Sequence, residues 1–397
     1  MIKCNFCLKI LLLIIFMLYN LNSKYYLKKE LKRYKKDINE IEKYYNICNN
    51  QTLSNIISIK NINNPKISII SPLYNQEKYI LRFIKSIQNQ NFNDLEIIFV
   101  DDCSTDNSIQ IIDDIKKIDK RIILIKHKKN KGTLISRNEG ALLSKGEYLI
   151  FSDPDDILSN NILTICYEMA KKYNFDIIRY NLYKGNGRIK LDYIIYKLIS
   201  KPIYQPELSS YLFYGSGKLE QIDYYITNKF IKKEIFIKTL NSIKQYYLIQ
   251  FMIDSEDCLI NFILHKIAKS FIFIKVIGYY YIINEKSITI NSQSNFIKRL
   301  KSIFLYLKFI FENTKNNKIE KNICEYIFLK IYFYHNNNII NHLKKLTKDI
   351  LFYKTIIDLY LNCVFISFET KIKLNMMKLA INEAEKKLKR VILSKNN

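Results

Sequence analysis

From Ile67 to Phe151 the chain alternates between two hydrophobic patterns. Short β-branched runs at Ile67 to Ile70, Leu95 to Val100, Arg121 to Lys126 and Glu147 to Phe151 have the length and composition of buried strands. Between them apolar residues recur at spacings of three and four. Ile80, Phe83, Ile84 and Ile87 do so first, and Ser108 to Ile118 and Thr133 to Ser144 repeat the period, which marks one buried helical face each time. Pro72 predicts the end of the first strand. Strands alternating with helices of about ten residues predict right-handed crossovers and an open, mainly parallel α/β sheet flanked by helices. In such sheets ligands sit outside the carboxyl ends of the strands. Tyr74, Asp102 and the run Asp153-Pro154-Asp155-Asp156 all fall at such ends, so three separate stretches converge on one expected crevice.

The pattern continues less regularly. Ile162 to Tyr173 predicts a helix, Asp176 to Tyr180 a strand and Gly185-Asn186-Gly187 a turn. Residues 181–250 are rich in tyrosine. Leu259, Ile260, Ile263, Leu264 and Ile267 share a helical face, which places Glu256 and Asp257 on a first turn, near the positive end of the helix. After Ile290 the chain reads as helical with Asn- and Lys-rich breaks, through Phe304 to Phe311, Ile323 to Phe333 and Leu374 to Leu393. This tail reads as packing, with a small helical bundle, an oligomerisation element and a basic membrane-docking surface as alternatives.

The order and spacing of the polar segments then narrow the reading. Pro72-Leu73-Tyr74-Asn75 follows the first strand and Val100-Asp101-Asp102-Cys103-Ser104-Thr105-Asp106 the second; Ser136-Arg137-Asn138-Glu139-Gly140 lies on the third helix. An Asp-x-Asp lies within Asp153-Pro154-Asp155-Asp156, and Ser255-Glu256-Asp257, Tyr279-Tyr280-Tyr281-Ile282 and Ser287-Ile288-Thr289 come later. Over residues 65–290 the chain resembles the family-2 nucleotide-sugar glycosyltransferases of the GT-A fold. The resemblance implies a hexosyltransferase-like, inverting enzyme that moves a sugar from a nucleotide donor, a uridine diphosphate sugar first, to a hydroxyl of a glycan, lipid or protein.

By that resemblance Pro72, Tyr74, Asp102, Arg137 and Asp153 would hold the nucleotide, with Tyr74 stacked on the base, Asp102 bonded to it and Arg137 reaching the diphosphate. Asp155 would hold Mn²⁺ or Mg²⁺, and Asp153 would face the ribose or share the metal. Asp257, with Glu256 as the alternative, would be the base that takes the acceptor proton. Each residue also has a plainer reading. An isolated Asp-x-Asp is an ordinary solvated turn, Asp102 could cap a helix near Ser104 and Asp106, and Arg137 could be a surface residue. Asp254, Glu256 and Asp257 could simply complement a helix dipole.

Composition adds boundaries. The net charge of +26 and pI near 9.5 would suit nucleic acid or an anionic membrane. Residues 60–160, however, carry 15 Lys and Arg against 14 Asp and Glu, whereas residues 291–397 carry 20 against 8. The excess lies in the flanks, so no nucleic-acid partner is expected. The runner-up readings are an inactive adaptor that binds nucleotide sugar and a basic membrane-surface or nucleic-acid-binding protein. Eight Cys and four His show no zinc spacing.

From Cys4 to Leu21 an apolar run is interrupted only by Asn5, Lys9 and Asn20, and it reads as a signal anchor, then a cleaved signal peptide, then a soluble helix. Lysines from Lys24 to Lys36 would keep the following side cytosolic, while Asn50-Gln51-Thr52 is an acceptor that only a luminal chain could use. The expected layout is an N-terminal segment at 1–23, a charged stem and linker at 24–64, the catalytic domain at 65–290, divided into a nucleotide half at 65–160 and an acceptor half at 161–290, and a basic helical extension at 291–397. The expected location is a single-pass membrane of the endoplasmic reticulum or Golgi.

Overall fold

The computed structural model describes residues 56–60, 62–185, 202–205, 208, 225–243, 256–282, 302 and 309. The expected anchor and stem, the Asn186-Gly187 turn, Ser287-Ile288-Thr289 and the tail helices lie outside the described residues. The chain divides into two compact units, one of residues 1–250 with 260–292 and one of residues 251–259 with 293–397.

The first unit opens with a parallel sheet. Strand β1 (Ile67–Leu73) pairs with β2 (Leu95–Asp101), β2 with β3 (Ile122–Lys126), and β1 on its other edge with β4 (Tyr148–Phe151). Helices α1 (Ile80–Gln88), α2 (Ser108–Ile118) and α3 (Thr133–Leu143) make the crossovers. Ile80, Phe83, Ile84 and Ile87 are all buried on α1, and the Phe83 ring meets Phe99 of β2 edge to face at 6.0 Å. On α3, Gly140 packs directly against the sheet. A Cβ there would fall 2.6 Å from Ile70 Cγ2 and 3.3 Å from Val100 Cγ2.

Strand β1 runs through Pro72 rather than stopping at it. The carbonyl of Ile70 faces β4, where it accepts from the Ser152 amide, and that of Leu73 faces β2, where it accepts from Asp102. Residues alternate sides along a strand, so Pro72 turns toward β4 beyond the last β4 residue. Its missing N–H costs no ladder bond.

Beyond β4 the sheet becomes mixed. After β5 (Ile157–Leu158) and α4 (Ile162–Tyr173) come β6 (Ile177–Gly185), β7 (Ile203–Tyr204), β8 (Lys229–Lys232), α5 (Lys233–Ile243), α6 (Glu256–Ile267) and β9 (Ser270–Ile282). Among the described residues the strand order is β3-β2-β1-β4-β8-β6-β9-β5, with β7 pairing β9. Strand β8 is antiparallel to both neighbours, whereas β6 and β9 are parallel. The mainly parallel sheet expected from the sequence is thus the half from β3 to β4. The order reverses at β1 between β2 and β4, and the open crevice of such a sheet lies at that reversal.

Residues 56–60, expected as linker, lie along this unit. Ile57 exchanges bonds with the Gln88 side chain at 2.8 and 2.9 Å, and Ile59 bonds through its backbone to Ile118 and Lys120. The expectation of a single-pass membrane location is not supported: among the described residues no helix is long and apolar enough to cross a membrane. Of the second unit the description covers the first turn of α6 and two buried residues, Ser302 and Phe309.

Candidate functional site

The crevice is floored by two loops stitched together by their own side chains. After β1, Asn75 adopts a left-handed conformation with φ 53, which asparagine tolerates better than most residues. Its amide donates to Ser104 Oγ at 3.0 Å, and its Oδ1 accepts from the Thr105 amide at 2.8 Å. The Gln76 amide donates to Ser108 Oγ and the Glu77 amide to Asp106 Oδ2. Glu77 Oε2 answers by accepting from the backbone and side chain of Asn107. Burial alone would raise the Asp106 carboxyl, but the bonds from Ser108 and Glu77 outweigh it and hold the group below its ordinary value. Tyr74 is 49% exposed, and Pro72, two residues before it, is half-buried.

The paired aspartates after β2 divide the work. Asp101 is buried and accepts from the amides of Cys103 and Ser104, which holds the turn. Asp106 accepts from the Ser108 amide at 2.9 Å at the start of α2. The capping that was the plainer reading of Asp102 is therefore done by its neighbours. Asp102 turns toward the loop after β3, where its Oδ1 bonds His127 Nδ1 at 2.8 Å and the Lys131 amide at 2.7 Å, while Oδ2 accepts from the Gly132 amide at 2.8 Å. Gly132 has φ +90, open to glycine at no steric cost. The far nitrogen of His127 lies 2.8 Å from Glu139 Oε2, and Glu139 Oε1 accepts from Lys131 Nζ at 2.8 Å. Burial pushes the Glu139 carboxyl up, and the bonds from Lys131 and His127 more than reverse that.

The third wall is the turn after β4. Arg137 of α3 places its Nη2 2.9 Å from Asp153 Oδ1. In place of a diphosphate, the arginine meets the aspartate expected beside the ribose or metal. Arg82 of α1, buried, donates to the Asp155 carbonyl. Because β5 follows directly and pairs with β9, the turn is also tied to Tyr279. The Tyr279 hydroxyl accepts from the Asp153 amide at 3.1 Å and donates to Asp156 Oδ2 at 2.7 Å, and Asp156 Oδ1 accepts from the Ile282 amide. Burial drives the Asp156 carboxyl well above the usual range, and the charges of Asp155 and Asp153 add to that. Asp156 is an anchor for the loop, while Asp153 and Asp155 are only partly buried.

Glu256 and Asp257 are the first two residues of α6, partly buried, at the helix start expected for them. That turn falls with the second unit. Sequence reasoning did not single out His127, Lys131, Arg82 or a role for Glu139 and Asp156. His127 carried one readable signal, a scarce residue type placed directly after the third strand.

Three comparisons bear on what this constellation is. The Glycosyl transferase family 2 pattern matches residues 68–240. Glycosyltransferase GlyG of Streptococcus pneumoniae is 31% identical over 179 residues, 43% of this chain and 58% of that protein. A poly(ribitol-phosphate) beta-glucosyltransferase of Bacillus spizizenii is 38% identical over 126 residues, 31% of this chain and 20% of that protein. The chain therefore spans less than two thirds of these relatives. Among solved structures, Staphylococcus aureus TarS 1-349 in complex with UDP superposes with a TM-score of 0.59 at 18% identity, covering 80% of this chain and 88% of that one. The same protein with UDP-GlcNAc gives 0.56 at 19% identity, covering 74% and 80%. At such identities the likeness speaks for the fold. The relatives named here are all bacterial, and bacteria have neither endoplasmic reticulum nor Golgi, so the expected single-pass location there finds no support in them.

Proposed function

Since the chain carries a family 2 glycosyltransferase domain of GT-A-like fold, we propose that the protein transfers a sugar from a uridine diphosphate donor to a hydroxyl acceptor, with inversion at the anomeric carbon. The observation that carries the reading is the meeting, at the carboxyl ends of β1, β2 and β4, of an exposed aromatic, a buried carboxylate and two partly buried carboxylates on one turn.

Each residue then has a task. Tyr74 offers an exposed ring for base stacking. Asp102 has three of about four acceptor positions filled by His127, Lys131 and Gly132, which leaves one for a base N–H. Arg137 leaves Asp153 for the diphosphate, where its planar fork matches phosphate oxygens. Among the described residues no three metal-ligating side chains cluster. Two carboxylates on one turn nonetheless suit Mn²⁺ or Mg²⁺, whose shells are usually completed by phosphate and water. Asp155, with Asp153, would hold the ion, and the ion would neutralise charge growing on the leaving diphosphate. Asp257 accepts the proton of the attacking acceptor hydroxyl, with Glu256 beside it.

Asp257→Asn tests the division of labour. Donor binding measured by calorimetry should be unchanged within about twofold while transfer falls by at least about a hundredfold, as expected for loss of a general base. Unchanged turnover would remove Asp257 from the mechanism.

A further inference from the structure

The domain's donor reading gives Asp102 a role, but Asp102 does not hold itself. Its carboxylate is buried just after β2, and among the described residues the side chain that hydrogen-bonds it is that of His127, with 2% of the side chain exposed. His127 lies between two carboxylates at 2.8 Å on either side, Asp102 at Nδ1 and Glu139 at Nε2, and Lys131 Nζ pairs with the other oxygen of Glu139. The chain Asp102, His127, Glu139, Lys131 thus joins the end of β2, the loop after β3 and the helix α3 that carries Arg137. Ionised carboxylates only accept, so a doubly protonated ring satisfies both contacts and a neutral ring only one.

We infer that His127 is a positioning residue of the donor site: through Nδ1 it fixes the Asp102 carboxylate so that its remaining acceptor position meets the nucleotide base. The inference rests on the reading of Asp102 as a base contact. It differs from a merely structural role because the two ring nitrogens do different things. The bond to Asp102 serves the nucleotide, whereas the bond to Glu139 serves the packing of α3. These functions are separable by substitution. Asparagine puts an amide N–H near the place of Nδ1 and can still donate to Asp102. Glutamine puts its amide near the place of Nε2 and can still donate to Glu139.

The test is UDP affinity by titration calorimetry on the full chain, for wild type, His127→Asn, His127→Gln and Asp102→Asn, with thermal melting of each. Loss of a hydrogen bond to a charged group predicts about a tenfold weaker UDP affinity for His127→Gln, and retention of that bond predicts His127→Asn within about threefold of wild type. With a nucleotide-sugar donor the same order should appear in KM, with kcat less affected. Equal weakening in the two histidine variants, weakening that tracks their melting temperatures, or no weakening in His127→Gln while Asp102→Asn binds poorly would overturn the inference and leave Asp102 in place. Wild-type affinity in Asp102→Asn would overturn the donor-site reading itself, and this inference with it.

Discussion

Among single residues, those that bind and those that support are neighbours of the same type. Asp101, Asp102 and Asp106 lie within six residues of one another, and only their hydrogen bonds distinguish the turn-holder, the partner of His127 that is proposed to meet the base, and the acceptor at the start of α2. The same holds after β4, where Asp153 and Asp155 are partly exposed and Asp156 is buried against Tyr279. Sequence could gather these carboxylates at strand ends but could not divide them, because the division depends on partners distant in sequence, 25 to 30 residues away for Asp102 and 123 to 126 for Asp156. Tyr279→Phe removes the hydroxyl that joins Asp153 to Asp156. Leaving the buried Asp156 oxygen short of its donor should cost about 1–3 kcal/mol in denaturant unfolding. Cys103 offers the opposite case. It holds φ 72, a conformation that costs a side-chain-bearing residue about 1–2 kcal/mol. Cys103→Gly should therefore melt at or above the wild-type temperature, whereas Cys103→Val should melt below it.

At the scale of elements, the cassette from β1 to β4 is legible because amphipathic helices and short β-branched strands carry different periods. Helices α2 and α4 fall where the spacing places them, Ser108–Ile118 and Ile162–Tyr173. The second half hides its strands. β5 has two residues, and β8 begins with Lys229, which is buried in full with its ammonium bonded to the Tyr225 carbonyl. β9 is almost continuously apolar from Ser270 to Ile282, so it shows no alternation to read. The bonds between the loops after β1 and β2 were equally invisible, since Asn, Asp and Ser read alike as turn residues whichever partner they find. Glu77→Ala breaks the Asn107 contacts and should raise the donor KM severalfold with a smaller change in kcat, because it loosens the floor without touching the reacting atoms. Gly140→Ala would force a methyl against Ile70 and should destabilise by about 1–3 kcal/mol, the usual cost of overpacking.

For the molecule as a whole, the charge of +26 lies almost wholly outside residues 60–160, and that region is near balance. Its titratable groups pull stability in two directions with pH. Asp106 and Glu139 are lowered in the fold, so their contribution is full above the unfolded values of 3.8 and 4.5 and is lost as pH falls through the lower folded values. Asp156 is raised, so its contribution is full below its unfolded value of 3.8 and is lost as pH rises through the folded value. Asp156→Asn removes only the second trend. Its melting temperature relative to wild type should therefore improve as pH rises above the unfolded value of 3.8, and a constant difference would show that Asp156 does not titrate in that way. The measurement that bears most directly on the central claim is release of nucleoside diphosphate by the full chain across a panel of nucleotide sugars and hydroxyl acceptors, with Mn²⁺ or Mg²⁺, with chelator, and with Asp155→Ala. Release from a uridine diphosphate sugar that chelator abolishes and the variant lacks is the expected result. Tight donor binding with no release from any member of the panel would contradict it and leave a nucleotide-sugar-binding adaptor.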